Sequence, residues 1–522
     1  MLHHRTSTLA LLLTCAATSL LAQEPGDLDT GFGTNGTVIT GFIPESIDEA
    51  TGIAVQADGR IILRGSSLSN QGGAAMVRYL PSGALDPSFG TGGRVVINVE
   101  DSLFVSGDRS VGIALQSDGK ILTTETAYVN GQFRGVVLRF LANGALDASF
   151  GGDGIVMDAS ESIFNTVHVQ ADGRILVAGL RVFPGTGSGL AARFMPDGSP
   201  DATYGTNGHA LLSMPGMSVE NIRGAALQPD GRLLVAGRVS SGPFMDHLLV
   251  RFTDAGQLDA SFGTGGRVIS SFSPMPEWAG GVDLQPDGRI LAGVTLQDPI
   301  LFNSIGVARF LPNGNLDASF GTGGFATVST AFDAWCWQPV VMADGRIAVG
   351  LQAGGQLAVA MLQDNGALDV GFSGDGIATT TAGLYQRNGA IAAQSDGKLL
   401  LAGAVASTGP PDEVDMVLHR MHTRLSLVGI EERSVGLTGY HVVPNPFRET
   451  PLLEFILDSP QQLTLRLVDA TGREVMELRQ RGLFAAGRHR IPLHGTETLP
   501  AGQYHIIADG ASGTASFTVT KE

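Results

Sequence analysis

From residue 26 to about 425 the chain alternates short apolar runs with clusters of Gly, Asp, Asn, Ser and Pro. In one stretch, residues 94–99 are β-branched and bounded by glycines, 111–116 are mostly apolar, 120–124 follow an Asp-Gly pair, and 136–141 are apolar again. Runs this short, with turn residues at both ends, predict strands, four to a group. Two landmarks punctuate the groups. A Leu-Asp in the pattern LDxSFGxxG places its aspartate at Asp29, Asp86, Asp147, Asp201, Asp259, Asp317 and Asp369, with Pro200 and Tyr204 as variants. An Asp-Gly follows each in strict alternation, at Asp58, Asp118, Asp172, Asp230, Asp287, Asp344 and Asp396. Asp-Gly between two strands predicts a hairpin of type I′, which needs positive φ at both central residues. Pro81-Ser82-Gly83 and Pro312-Asn313-Gly314 predict reverse turns leading into Leu-Asp.

Successive Leu-Asp aspartates lie 52–61 residues apart. Self-similarity on this scale means stacked units, none able to bury its apolar face alone. Seven four-stranded units over residues 23–425 predict a seven-bladed β-propeller, because ring closure protects sheet edges. The N-terminal strand is then expected to pair into the last unit. An open solenoid would need capping units, and none is visible. Residues 426–441 carry no repeat signal and read as a linker. Residues 442–522 have their own runs at 452–457, 463–469, 474–478, 489–493, 504–508 and 514–520, which predict a small Ig-like β-sandwich. The whole chain is therefore expected to be all-β.

Composition changes the picture in two places. The net charge of −17 argues against nucleic acid as a partner. The N-terminus has Arg5 and then an apolar stretch that reaches Ala22, which reads as a signal peptide over residues 1–22. Cys15 lies inside it, in Leu-Leu-Thr-Cys, a weak lipoprotein signal. Once it is removed, Cys336 is the only thiol, so no internal disulfide forms and stability rests on packing.

Comparing copies separates turn chemistry from site chemistry. Asp153 and Asp375 sit in Gly-Asp-Gly and suggest calcium, but the other copies hold Asn35, Gly92, Asn207, Gly265 and Gly323 there. A turn explains all seven, and no metal or cofactor is expected. The GxGxxG at 31–36 is the first copy of this turn and precedes a strand, so it is not a dinucleotide site. A basic residue follows every Asp-Gly, beside its own aspartate, and reads as a solvated turn. An arginine precedes an aromatic at Arg78, Arg139, Arg193, Arg251 and Arg309, and Arg420 precedes Met421. These guanidiniums are expected to pair with Leu-Asp carboxylates.

Nine residues before each Asp-Gly aspartate the copies disagree: Glu49, Arg109, Ile163, Asn221, Trp278, Trp335 and Arg387. The scaffold does not dictate this position, and loops on a rigid scaffold carry recognition. Trp278, Trp335 and nearby Trp337, with Arg109 and Arg387, are the candidate ligand-binding residues. Tryptophans on one rim suit stacking on sugar rings or anchoring a protein; the competing reading makes them plugs between blades. There is no HExxH, P-loop or GxSxG, and the 11 histidines do not recur with the repeat. No catalytic residue is assigned.

The LDxSFGxxG runs and QxDG[RK]I segments, such as 56–61, resemble the delta-60 repeat family of secreted bacterial proteins over about residues 26–425. That resemblance implies a propeller-like array. The C-terminal region resembles a type IX secretion sorting domain. Its opening Pro444-Asn445-Pro446-Phe447, its Gly472-Arg473 turn, and Gly487, Gly502 and Tyr504 in the later motifs carry the likeness. Leu493-His494-Gly495 and the final Lys521-Glu522 depart from the family's usual residues. The resemblance implies the type IX machinery as a partner and the outer surface of a Gram-negative bacterium, or the medium, as the destination. The expected function is a monomeric binding scaffold for an extracellular glycan or protein. The alternative is a propeller lyase or hydrolase acting on polysaccharide, which requires His, Arg, Glu or Tyr converging on a central channel.

Overall fold

The structure is a computed structural model that describes residues 23–521 apart from 44–45, 69–72, 98–102, 105–111, 184–185, 215, 242–243, 299–302, 331, 407–413, 425–436, 444, 458, 470–473 and 511–512. The expected signal segment, Arg109, Pro444, Gly472 and Arg473 lie outside the described residues. Two compact units are present, Glu24–Arg424 and one that holds Leu425–Glu522. Among the described residues the only helical element is a 3-10 turn at Thr496–Thr498.

The larger unit repeats one sheet. Ser162–Val169, Ile175–Phe183, Thr186–Phe194 and His209–Leu212 pair antiparallel in chain order. Ser218–Leu227, Leu233–Ser241, Phe244–Phe252 and Arg267–Ser270 do the same, as do the sheets that start at Glu277 and Ala334. The fourth strand of each sheet follows the Leu-Asp turn, so the next sequence copy supplies it. Residues 94–99, read as the first strand of a unit, accordingly pair backwards, Arg94–Ile97 with Gly73–Tyr79. Thr37–Thr40 has no sheet before it and pairs with Val414–Met421 of the last copy, Thr37 opposite His419.

The Asp-Gly turns are not the two-residue hairpins expected. Gln56 N donates to Arg60 O at 2.8 Å and Gly59 N to Gln56 O at 2.9 Å. Of the central pair only Gly59, at φ 81°, is left-handed. The loop is a type I turn closed by a left-handed glycine. Asp58 contributes its carboxylate, Oδ1 accepting from Arg60 N at 3.1 Å. The Phe-Gly turns follow the expected logic, with Asn35, Gly92, Asn207, Gly265 and Gly323 all left-handed. Where Asp153 or Asp375 occurs, the preceding Gly152 or Gly374 takes that conformation. Each aspartate then accepts a backbone N–H two residues on, at 2.9 Å.

Apolar clusters run between successive sheets. Leu176, Tyr204 and Leu180 of one sheet's strands and turn pack with Leu233, Val235 and Leu248 of the next. Ile61, Leu63 and Val77 of the first sheet pack with Leu400, Met416 and Leu418 of the last. A polar latch accompanies each cluster. Arg78, Arg139, Arg193, Arg251, Arg309 and Arg420 donate from Nε to Asp86, Asp147, Asp201, Asp259, Asp317 and Asp29 at 2.7–2.9 Å. The same guanidiniums donate onward to carbonyls of the neighbouring sheet's turn, including Ala142, Pro312 and, for Arg420, Pro81. They also lie over turn aromatics at 4.3–4.7 Å, as Arg420 does over Phe32. Burial alone would raise these carboxyls. Hydrogen bonds from Ser149 and Lys120, with the charge of Arg139, outweigh it and hold Asp147 down at about 2. The basic residue after each Asp-Gly, expected as a solvated turn beside its own aspartate, also reaches the Leu-Asp carboxylate, as Arg60 does Asp86 and Arg232 does Asp259 at 3.0 Å; in the copy with Met361 in place of the latch arginine, Arg346 alone does so, at 3.0 Å from Asp369. The expected pairing of arginine with Leu-Asp is thus present, and it ties sheet to sheet. These repeated sheets form a β-propeller architecture.

The smaller unit holds a three-stranded sheet of Leu437–Val443, Leu452–Leu457 and Gly487–Pro492. A four-stranded sheet combines Glu474–Phe484, Gln461–Asp469, Gly502–Gly510 and Gly513–Lys521. Leu453, Phe455, Leu465, Leu467 and Ile506 from both sheets share one core. The strand from Leu437 begins inside the span 426–441 expected as a linker.

Candidate functional site

The innermost strand of each sheet faces a central cavity of about 440 Å³. These strands do not form a continuous ladder with one another. Polar side chains bridge them instead: Asn165 Nδ2 donates to Ile222 O at 2.6 Å, and Asp283 Oδ2 accepts from Val341 N at 2.9 Å. Almost every innermost strand carries a β-bulge at the same place. The register skips Thr51, Asn165, Arg223 and Trp337, each seven residues before its Asp-Gly aspartate. A bulge re-aims the skipped side chain, and Thr51, Arg223 and Trp337 line the cavity.

The variable position two residues earlier lies at the start of the same strands. Trp278 and Trp335 meet there edge to face, ring centroids 5.6 Å apart and planes at 76°. They belong to neighbouring sheets and are both half-buried. The Arg238 guanidinium lies 3.7 Å from the Trp278 ring centroid, and Trp335 Nε1 donates to Asp333 Oδ2 at 3.2 Å. Arg387 pairs with Glu49 at 2.5 Å, joining the last copy to the first. Phe332, three residues before Trp335, is 57% exposed, and Leu384 and Tyr385 at the start of the next sheet are 72% and 47% exposed.

In four copies the residue just before the variable one is a buried polar anchor. Asp48, Ser162, Glu277 and Gln386 are all fully buried. Asp48 Oδ2 accepts from Phe42 N and Ser46 Oγ at 2.8 Å each. Glu277 Oε1 accepts from Phe272 N and Ser273 N, fixing the loop that delivers Trp278. Burial pushes the Glu277 carboxyl up to about 7 against the pull of those two N–H groups.

Deeper in the cavity, Trp337 lies flat on the neighbouring strand: a Cβ added at Gly389 would stand 2.1 Å from Trp337 Cζ3. Arg223, His168, Thr166, Asp283 and Gln338 also line the wall. Burial holds the His168 imidazole down at about 4, so it is neutral at pH 7. Burial also raises Asp283, and its two oxygens accept from Val341 N and from Leu284 N.

The structure thus brings Trp278 and Trp335 together, sets Trp337 in the cavity and puts Arg387 in an ion pair; Arg109 falls outside the described residues. The sequence reading missed Arg223 and the anchors. The position seven residues before Asp-Gly varies as freely as the one chosen, and that was the signal for it. In the smaller unit Phe447 is buried in the core with Tyr504, and Asn445 Oδ1 accepts from Thr520 N at 2.8 Å. Tyr504 Oη donates to Pro500 O at 2.9 Å. Gly487 opens a strand at φ 115° and Gly502 opens another, while Pro446 follows Asn445 just before Phe447.

A family model described as a domain of unknown function (DUF5122) β-propeller matches residues 56–89, 116–150, 170–204, 228–262 and 285–320. No curated protein matches the chain. Among solved structures it is similar to a protein of unknown function from Dyadobacter fermentans, 12% identical, TM-score 0.42, over 76% of this chain and 100% of that one. It is similar to the polysaccharide lyase Uly1, 11% identical, TM-score 0.42, over 78% and 98%. It is also similar to an α-L-arabinofuranosidase from Fusarium graminearum, 9% identical, TM-score 0.38, over 78% and 98%. The family match and the repeated four-stranded sheets make this a propeller-like repeat protein.

Proposed function

We propose that the chain is an exported binding scaffold, closed as a seven-bladed propeller, that holds an extracellular glycan across Trp278 and Trp335. The observation that carries this reading is the pair itself. Two tryptophans from neighbouring sheets sit in edge-to-face contact, half-exposed, where the repeats stop agreeing. Sugar rings present C–H faces that stack on indoles, and flanking polar groups fix their orientation. Arg238 and Asp333 hold the two rings in place, so little side-chain freedom is lost on binding.

The signal segment 1–22 starts export. The unit over 442–522, an Ig-like β-sandwich, presents the chain to the type IX machinery, and the monomer ends at the outer surface of a Gram-negative cell or in the medium. The motifs at 444–447 and 472–473 support this route. An enzyme acting on polysaccharide is the weaker reading. His168, Arg223 and Asp283 do face the cavity, but both Asp283 oxygens already accept backbone N–H groups.

A glycan array probed with the full chain tests the proposal. Retention of a defined glycan class is expected, and it should be lost in Trp278→Ala/Trp335→Ala while the melting temperature holds. Unchanged binding in that variant would remove the rim from the account.

A further inference from the structure

Of the residues that precede the variable position, only Glu277 both adjoins a rim tryptophan and can ionise. Ala334 precedes Trp335, and the last copy fills the same position with Gln386, also fully buried. Glu277 is held by the loop 271–276 that enters its strand. Its Oε1 accepts from Phe272 N and from Ser273 N, the latter at 2.7 Å. Its Oε2 is buried and, among the described residues, has no hydrogen-bond partner. The surroundings disfavour a negative charge there. From the strand Phe244–Phe252, Asp246 and the His247 N–H face the carboxyl, and Asp246 repels a second negative charge. The His247 imidazole is buried with both ring nitrogens unpartnered and held down at about 4, so it is neutral at pH 7. On Leu233–Ser241 the charged group opposite His247 is Arg238, which lies on the Trp278 ring. Glu220 of Ser218–Leu227 is a further negative group and accepts from Ser240 Oγ at 2.7 Å. Ile290–Leu296 and Ala334–Val341 carry no charged side chain.

We propose that Glu277 is a proton switch for the rim: protonated, it holds the loop 271–276 and Trp278 in the binding position; ionised, it drives the loop open, and the rim lets go of its glycan in alkaline surroundings. The proposal deepens the rim reading and rests on it for the ligand, while the switch itself is a property of the unliganded chain. The geometry sets the direction. The closed loop keeps the carboxyl out of water, so only backbone N–H groups meet an ionised form, and burial pushes the group up to about 7. An opened loop returns it to water, where a glutamate titrates at about 4.5. The closed form therefore holds the proton more tightly, and it loses about ten-fold to the open form for each pH unit above 7. Gln386 fills the equivalent buried position in the last copy, so Glu277→Gln keeps a side chain the scaffold accepts and removes the charge.

Tryptophan emission of the ligand-free full chain, followed from pH 5 to pH 9, makes the first test. One step with a midpoint of about 7 is expected, because Trp278 leaves its neighbours as the loop opens. The step should vanish in Glu277→Gln and move to lower pH in Asp246→Asn, which removes the like charge. No step, a step that survives Glu277→Gln or, where that variant does not fold, a midpoint unmoved by Asp246→Asn overturns the switch, whichever ligand the rim takes. Calorimetric titration of the full chain with the array glycan makes the second test. A form that binds only when closed loses apparent affinity with its population, so the parent should bind at least about three-fold more weakly at pH 9 than at pH 6. Glu277→Gln should bind equally at both. Equal parent affinity at the two values, or the same loss in Glu277→Gln, overturns the coupling of the switch to binding. Glycan binding that survives Trp278→Ala/Trp335→Ala overturns the rim and leaves the emission step standing, so the two failures are told apart.

Discussion

A single carboxyl shows how much of this site depends on burial. Glu277 is fully buried next to Trp278 and pushed up to about 7. A carboxyl whose folded value exceeds its unfolded one favours folding most at low pH. Its contribution is complete below about 4.5 and is lost as pH rises through about 7. Glu277→Gln keeps the acceptor for Ser273 N and cannot ionise. Its melting temperature should match the parent at pH 5 and exceed it by a few degrees at pH 8, since the shift is worth up to about 3 kcal/mol. Calorimetric scans at the two pH values check this; equal melting at both would show that Glu277 stays ionised without cost. The sequence pointed to Trp278 through its disagreement with other copies but did not point to Glu277. A buried glutamate looks like any surface glutamate until the loop folds over it.

At the scale of the strand, the bulge decides which residues face the cavity. Strand composition and the four-strand grouping were legible from apolar runs and glycines. The bulge was not, because one inserted residue leaves the run apolar and merely turns a side chain. The Asp-Gly turn was misread for a related reason: Asp-Gly fits a type I′ turn and a type I turn with a following left-handed glycine equally well. Trp337 on Gly389 tests the strand-level account. Gly389→Ala places a methyl where the indole lies and should cost about 1–3 kcal/mol by overpacking. Adding Trp337→Ala should recover most of that loss in a denaturant-based double-mutant cycle. Strictly additive losses would mean that the two residues do not touch.

At the scale of the molecule, the arginine latch makes closure measurable. Met361 shows that the position accepts methionine in one sheet, so arginine-to-methionine changes are mild in shape. Arg251→Met removes the latch on Asp259 between two internal sheets and leaves it Arg232; Arg420→Met does the same to Asp29, between the last copy and the first, and leaves it Lys398. In a closed ring both should cost a similar amount, about 1.5–3 kcal/mol, as the loss of a hydrogen bond to a buried charge does. In an open stack Arg420 would sit at a free end and its change would cost almost nothing. The repeat, its period and the pairing of the N-terminal strand into the last copy were legible because they are matters of counting. The latch was legible as a pairing, but its reach into the next sheet depends on geometry that spacing does not encode. The sequence holds three tryptophans, and all three stand at the rim or in the cavity. Tryptophan emission of the full chain therefore reports on this site and no other. Titration with the glycan selected by the array should give a saturable change in tryptophan emission, with a midpoint equal to the calorimetric Kd. Calorimetric binding of that glycan with no change in tryptophan emission would contradict the account, because the ligand would then sit somewhere other than where the repeats diverge.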